Sequence, residues 1–273
     1  MENDNRTDSS LRSLLSLQGK VALVTGGCRN FGAEMAVGLA EAGATVLVTA
    51  RDLSRAQDGA AALKEQTGFD FVPFELELND ENSVMTLFQN IKEQFGRLDI
   101  LVNNAGGHSK SACGLLEKES LQGWNDFIGP NLTGTFLMLR EYARLMMPLR
   151  TGSVINIASM AGLVGRDRTI YGDDMTPNPI AYSAAKAGMI GLTTDSAAYL
   201  GPYGIRVNAV SPGGFERTQP EHFIRDYSNL TMLKRMGRAG FDLKGAIVFL
   251  ASDAAAYITG HNLVIDGGFT KYK

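Results

Sequence analysis

The sequence predicts an α/β protein: one domain built on an open, doubly wound sheet of about seven parallel strands, with helices on both faces. Three observations carry this. Short runs of Val, Ile, Leu and Ala recur along the chain, apolar at nearly every position, as strands buried on both faces are. Segments of helical period, a dozen or more residues long, lie between them, which is the spacing of βαβ units. Residues 17–273 keep up the alternation with no linker, repeat or low-complexity tract.

Taken in order, KVALVT (20–25) is the first run, and a helical pattern follows it through Ala42. ATVLVT (44–49) is the second, followed by the Ala-rich helical segment 53–66. FVPFEL (71–76), LDILVN (98–103), SVINIA (153–158), IRVNAV (205–210) and NLVIDG (262–267) continue the series. Right-handed crossovers then distribute the helices over both faces. The first ten residues, MENDNRTDSS, are polar and carry both charge signs, without the basic-then-apolar order of a secretion signal. Residues 1–16 are expected to be a disordered tail, and the protein cytoplasmic.

Composition narrows the function. A formal net charge of −3 supplies no general basic field for nucleic acid. No apolar stretch reaches the roughly 18 residues of a membrane span. Two cysteines, Cys28 and Cys113, are not a disulfide framework. No Cys/His cluster has zinc spacing, and no metal site is expected.

In such a sheet, ligands bind outside the carboxyl ends of the strands. The loops of interest follow Thr25, Thr49, Asn103, Ala158 and Val210. The first reads TGGCRNFG (25–32). Gly26 permits a tight turn, Gly32 permits close packing of the next helix, and that helix's N-terminus suits a phosphate. Asn30 stands where a glycine is expected. Asn is the non-glycine residue that best tolerates the left-handed region, and its side chain is a candidate cap. After the second strand come Ala50, Arg51 and Asp52. A cation there suits the 2′-phosphate of NADP, a carboxylate the ribose of NAD. Arg51, with Arg29 from the first loop, favours NADP(H) over NAD(H); a solvated Arg51 paired with Asp52 is the alternative. Asn103, Asn104, Ala105 and Gly106 form either a turn or a wall of the cofactor's ribose.

Tyr182 and Lys186 lie four residues apart in an Ala-rich helical run that Pro179 can open, and so share a face. A nearby ammonium favours the phenolate and lowers the tyrosine pKa, which fits proton transfer.

In this order the motifs resemble those of the short-chain dehydrogenase/reductases, over about residues 17–269. TGGCRNFG matches the nucleotide loop, NNAG (103–106) the ribose-side motif and Asn131 in NLTG the helix asparagine. Ser159 matches the serine, YSAAK (182–186) the Tyr–Lys pair, Ser211-Pro212-Gly213 the loop over the nicotinamide, and IDGG (265–268) the last strand. The resemblance implies a Rossmann-like domain. It implies catalysis by Ser159, Tyr182, Lys186 and Asn131: the tyrosine passes the proton, the serine binds the substrate oxygen, the lysine holds the ribose and the asparagine fixes a relay water. It sets the cofactor against Thr25, Gly26, Arg29, Asn30, Phe31, Gly32, Arg51, Glu77, Leu78, Asn104, Ala105, Gly106, Tyr182, Lys186, Pro212, Gly213 and Phe215. It implies a tetramer or dimer, for which the segment 133–148, apolar on most of its surface, offers a contact.

Four features depart from the pattern: Asn30; Glu77 in place of an aspartate near the adenine; Pro130 inside a helix; and about ten extra residues between the serine and the tyrosine, within 163–179. That insertion is either a solvated or subunit-contact segment or a wall of the substrate site. In the second case Arg166 and Arg168, with His108 past NNAG, suit an oxyanionic substrate. The function expected is NADP-preferring interconversion of a secondary alcohol and a ketone on a small polar substrate of the gluconate 5-dehydrogenase kind. A 3-oxoacyl-carrier-protein reductase is the alternative within the class, and a non-catalytic NADP(H) sensor the alternative outside it.

Overall fold

A computed structural model describes residues 10–106 and 114–272. Nine strands are found among them: β1 (Val21–Val24), β2 (Thr45–Ala50), β3 (Phe71–Glu75), β4 (Ile100–Asn103), β5 (Gly152–Ile157), β6 (Ile205–Pro212), the short β7 (Phe215–Glu216) and β8 (Gly237–Arg238), and β9 (Asn262–Ile265). The helices are α1 (Leu11–Leu15), α2 (Asn30–Glu41), α3 (Leu53–Thr67), α4 (Glu81–Phe95), α5 (Leu121–Ile128), α6 (Gly134–Met146), α7 (Ile180–Leu200), α8 (Glu221–Asn229) and α9 (Lys244–Ala251).

Seven strands form one sheet in the order β3-β2-β1-β4-β5-β6-β9, every pair parallel. These are the seven expected runs; the separate β7–β8 pair was not foreseen. The chain starts at β1, moves outward to β3, then crosses back to β4 on the other side of β1. The strand order therefore reverses between β1 and β4, and a ligand crevice opens at their carboxyl ends.

Alternation within the strands builds two cores. Ala22, Val24, Val46, Val48 and Val102 pack beneath Met35 and Leu39 of α2 and Ile247 and Leu250 of α9. Val21, Leu23, Leu47 and Leu101 face Leu87 and Ile91 of α4 and Met138 and Tyr142 of α6. Helix ends follow local chemistry. Asp52 caps α3 by accepting from the Arg55 amide at 2.9 Å, and Asp80 caps α4 through Asn82 at 2.9 Å.

One expectation needs correction. The tail does not run unstructured to residue 16: the Ser10 hydroxyl accepts from the Ser13 amide and caps α1, and Leu17 is fully buried. Residues 1–9 lie outside the described residues. Helix α6 buries Leu137, Met138, Leu139, Tyr142 and Met146 and leaves Phe136 exposed. No helix among the described residues is long and apolar enough to cross a membrane.

Candidate active site

The first loop turns out of β1 at Gly26, in the left-handed region with φ +63. Asn30 is left-handed as well, at φ +50, the conformation that a glycine would supply. Its side chain does not cap α2. The helix begins on Asn30 itself, so the cap position falls one residue earlier, on Arg29, whose side chain makes no capping bond. The residues that carry the helix's first N–H groups, Asn30, Phe31 and Gly32, line the crevice. Gly32 is dictated by space: a Cβ there would stand 2.1 Å from the Gly26 carbonyl oxygen.

Thr25 and Asn104 tie this loop to the one after β4. Thr25 Oγ1 accepts from the Asn104 and Ala105 amides, each at 2.9 Å, and Asn104 Nδ2 donates to the Thr25 carbonyl at 2.9 Å. Phe31 meets Phe215 edge-on at 4.9 Å, and the Arg217 guanidinium lies 4.7 Å from the Phe31 ring while pairing with Glu34. The loop after β6 is thereby held against the nucleotide loop.

Between these loops lies a cleft of about 1010 Å³. Its walls include Gly26, Arg29, Asn30, Phe31, Gly32, Arg51, Glu77, Leu78, Asn104, Ala105, Gly106, Asn131, Ser159, Tyr182, Lys186, Pro212 and Gly213. Seventeen positions singled out from sequence thus converge on one cavity. Thr25 and Phe215 do not line it: Thr25 is spent on cross-linking, and Phe215 stands behind Phe31. Arg166 and Arg168 also lie off the wall, and His108 lies outside the described residues.

At one end of the cleft Arg29, Arg51 and Arg55 gather. Asp52, the carboxylate next to Arg51, does not pair with it; its oxygens cap α3 and bind Arg55 at 3.1 Å. Arg55 was missed in the sequence, although it lies in the first turn of α3, four residues past Arg51. Phe127 and Asp126 of α5 were missed too, since nothing in their spacing marks them.

At the other end Ser159 opens a short 3₁₀ turn after β5, its Oγ accepting from the Ala161 amide at 3.1 Å. Ser159 also hydrogen-bonds the Tyr182 oxygen. Pro179 precedes the first residue of α7, and Tyr182 and Lys186 follow one turn apart. The Lys186 Nζ donates to the Ile157 carbonyl at 2.7 Å, and burial pushes its pKa down to about 8. Tyr182 departs from expectation. Burial pushes its phenol up, against the Ser159 hydrogen bond and the charge of Arg166, which pull it down. Desolvation of the phenolate outweighs the hydrogen bond and the Arg166 charge.

Pro130 does not simply kink a helix. Lacking an N–H, it sits in a π turn, Gly129–Thr133, which joins α5 to α6. The wider turn carries Asn131 against Gly106, where a Cβ would be 2.3 Å from the Asn131 Oδ1.

The insertion is docked rather than solvated. Ile170, Tyr171 and Met175 pack on Met160, Phe223, Tyr227 and Met236, and Tyr171 meets Phe223 at 5.1 Å. Arg168 donates to the Gly114 carbonyl at 2.6 Å, a structural tie. Arg166 donates to the Asn178 carbonyl at 2.9 Å.

Comparison with known proteins places this arrangement in context. Residues 26–270 match a family model described as enoyl-(acyl carrier protein) reductase. A 3-oxoacyl-(acyl-carrier-protein) reductase of Vibrio harveyi is 37% identical over 93% of this chain and 98% of its own. A D-threitol dehydrogenase of Mycolicibacterium smegmatis is 38% identical over 93% and 94%. Among solved structures, a gluconate 5-dehydrogenase from Burkholderia cenocepacia, in complex with NADP and tartrate, superposes with a TM-score of 0.83 at 30% identity, over 94% of this chain and 97% of its own. The sheet order, the cleft and these matches agree: the chain belongs to the short-chain dehydrogenase/reductase family of oxidoreductases.

Proposed function

We propose that the protein is an NADP-preferring oxidoreductase that interconverts a secondary alcohol and a ketone on a small polar substrate such as a sugar or sugar acid. The observation that carries this is the meeting of Ser159, Tyr182 and Lys186 on the wall of the same cleft as the Gly26–Gly32 loop. The left-handed Asn30, the uncapped α2 N-terminus and the arginine end of the cleft fit a dinucleotide. When bound, the nicotinamide supplies or accepts the hydride.

The chain's own residues do the rest. Gly26, Asn30, Phe31 and Gly32 hold the diphosphate. Arg29 and Arg51 take the 2′-phosphate through charge-assisted hydrogen bonds, and the engagement of Asp52 with Arg55 removes the carboxylate that NAD would use. Asn104, Ala105, Gly106, Pro212 and Gly213 enclose the remainder. Ser159 orients the substrate oxygen, Tyr182 gives or takes its proton, Lys186 holds the ribose, and Asn131 positions the relay water. The NADP and the small polyol or sugar-acid substrates named for relatives support this reading. The carrier-protein reductases among the relatives support a second, reduction of a 3-oxoacyl thioester. A cytoplasmic homo-oligomer is proposed for either.

A substrate panel tests the proposal: NADP⁺-dependent oxidation of gluconate and of D-threitol, against NADPH-dependent reduction of a 3-oxoacyl thioester. Turnover of a polyol or sugar acid supports the first reading, and turnover of the thioester alone the second. Tyr182→Phe should lower kcat by about 10²–10⁴-fold while NADPH still binds. A protein that binds NADPH and turns over nothing is the sensor.

A further inference from the structure

Tyr182 has more positive charge around it than the Tyr–Lys pair alone provides. The Lys186 Nζ lies 5.8 Å from the centre of the Tyr182 ring, and the Arg166 guanidinium carbon lies 5.9 Å from it. Arg166 comes from the insertion, not from α7. It is held in place by the Asn178 carbonyl at 2.9 Å and reaches Ser183 Oγ at 3.5 Å. Both partners are neutral, and no carboxylate among the described residues pairs with it. Nor does it line the cleft, so it reaches the chemistry through Tyr182 rather than through a ligand.

We infer that Arg166 is a positioning residue for proton transfer, a permanently charged guanidinium that stabilises the phenolate of Tyr182 from the insertion side. The inference rests on the oxidoreductase reading of this site. In alcohol oxidation the phenolate takes the hydroxyl proton as hydride leaves carbon for NADP⁺; in reduction the phenol O–H bond breaks and its proton goes to the carbonyl oxygen. Both directions depend on the energy of the phenolate. Among the described residues, the other groups facing Tyr182 are Lys186 on its own helix, Ser159 after β5, Tyr171 in the insertion, and Phe127 beside Asp126 on α5. Of the two cations, Lys186 is brought down to about 8 by burial and loses its charge in mildly alkaline solution, where a guanidinium keeps its own. The charge of Arg166 pulls the phenol down against the effect of burial. The insertion therefore has an electrostatic role beyond packing on α8.

The test is a pH titration of the tyrosine ring-carbon NMR signal assigned to Tyr182 by its loss in Tyr182→Phe, in the cofactor-free protein. Arg166→Gln keeps an amide donor toward the Asn178 carbonyl and removes the charge; Arg166→Lys keeps the charge. The midpoint should rise by about one unit in Arg166→Gln and stay near wild type in Arg166→Lys. In the alcohol-oxidising direction, the rise of kcat/KM with pH should move up by the same amount, with KM little changed. An unmoved midpoint overturns the proposal. So does a raised KM with the midpoint in place, which would make Arg166 a substrate ligand. Failure of the oxidoreductase reading would show differently, as wild-type protein that turns over no substrate, whether or not it binds NADPH and whatever the Tyr182 midpoint does.

Discussion

Asn30 holds a backbone conformation that costs most side chains about 1–2 kcal/mol and costs asparagine less, because its short polar side chain tolerates the left-handed region. Asn30→Ala should therefore destabilise the protein by about 1 kcal/mol, while Asn30→Gly stays within about 0.5 kcal/mol of wild type and still binds NADPH; urea unfolding and a binding titration check this. Arg51 faces the cleft with its neighbouring carboxylate turned away. Arg51→Ala should weaken NADPH binding by about tenfold or more and leave NADH binding nearly unchanged, measured by calorimetric titration. Equal losses for the two cofactors would mean that Arg51 does not contact the 2′-phosphate. Lys186 bears on stability through pH. Burial lowers it from the ordinary 10.5 to about 8, so the folded state disfavours its charged form. Below about pH 8 it is charged in both states and the penalty is full. Between 8 and 10.5 the unfolded chain binds more protons, so stability rises with pH. Cofactor-free wild type should gain stability relative to Lys186→Met across that window, as followed by denaturant unfolding at stepped pH.

At the scale of elements, the first loop, α2 and the loop after β4 behave as one unit. Thr25 and Asn104 cross-link the loops, and Gly32 lets α2 start directly against the Gly26 carbonyl. Gly32→Ala must push the helix start away, since a contact of 2.1 Å is impossible. It should abolish NADPH binding and lower stability by about 1–3 kcal/mol, as overpacking does; unchanged binding would show that the loop relaxes freely. The strands were legible as elements because burial on both faces leaves a simple apolar signature. The π turn at Gly129–Thr133 was not: Pro130 marks an irregularity without saying which backbone solves it. The insertion was legible only as extra length. Its docking on α8 depends on Tyr171 meeting Phe223, 52 positions away in the chain.

For the whole molecule, a cleft formed by loops from six strands couples ligand binding to global stability. NADPH at about 100 times its Kd should stabilise the folded state by about 2.7 kcal/mol, which at this chain length raises Tm by about 5–10 °C. NADH at the same concentration should raise it less, and a larger shift with NADH would reverse the proposed preference. The sequence by itself determined the parallel sheet, the places where loops gather, and most of the cleft. Strand burial, glycine geometry and the i, i+4 spacing of Tyr182 and Lys186 are local properties, readable within a few residues. Tertiary structure decided what each charge is free to do. Asp52 was drawn from Arg51 to α3, Arg168 was tied to a backbone carbonyl, Thr25 and Phe215 were withdrawn behind the wall, and Arg166 was brought to the Tyr182 ring. Those outcomes depend on desolvation and on partners from distant segments, whose energies exist only once the chain has closed on itself.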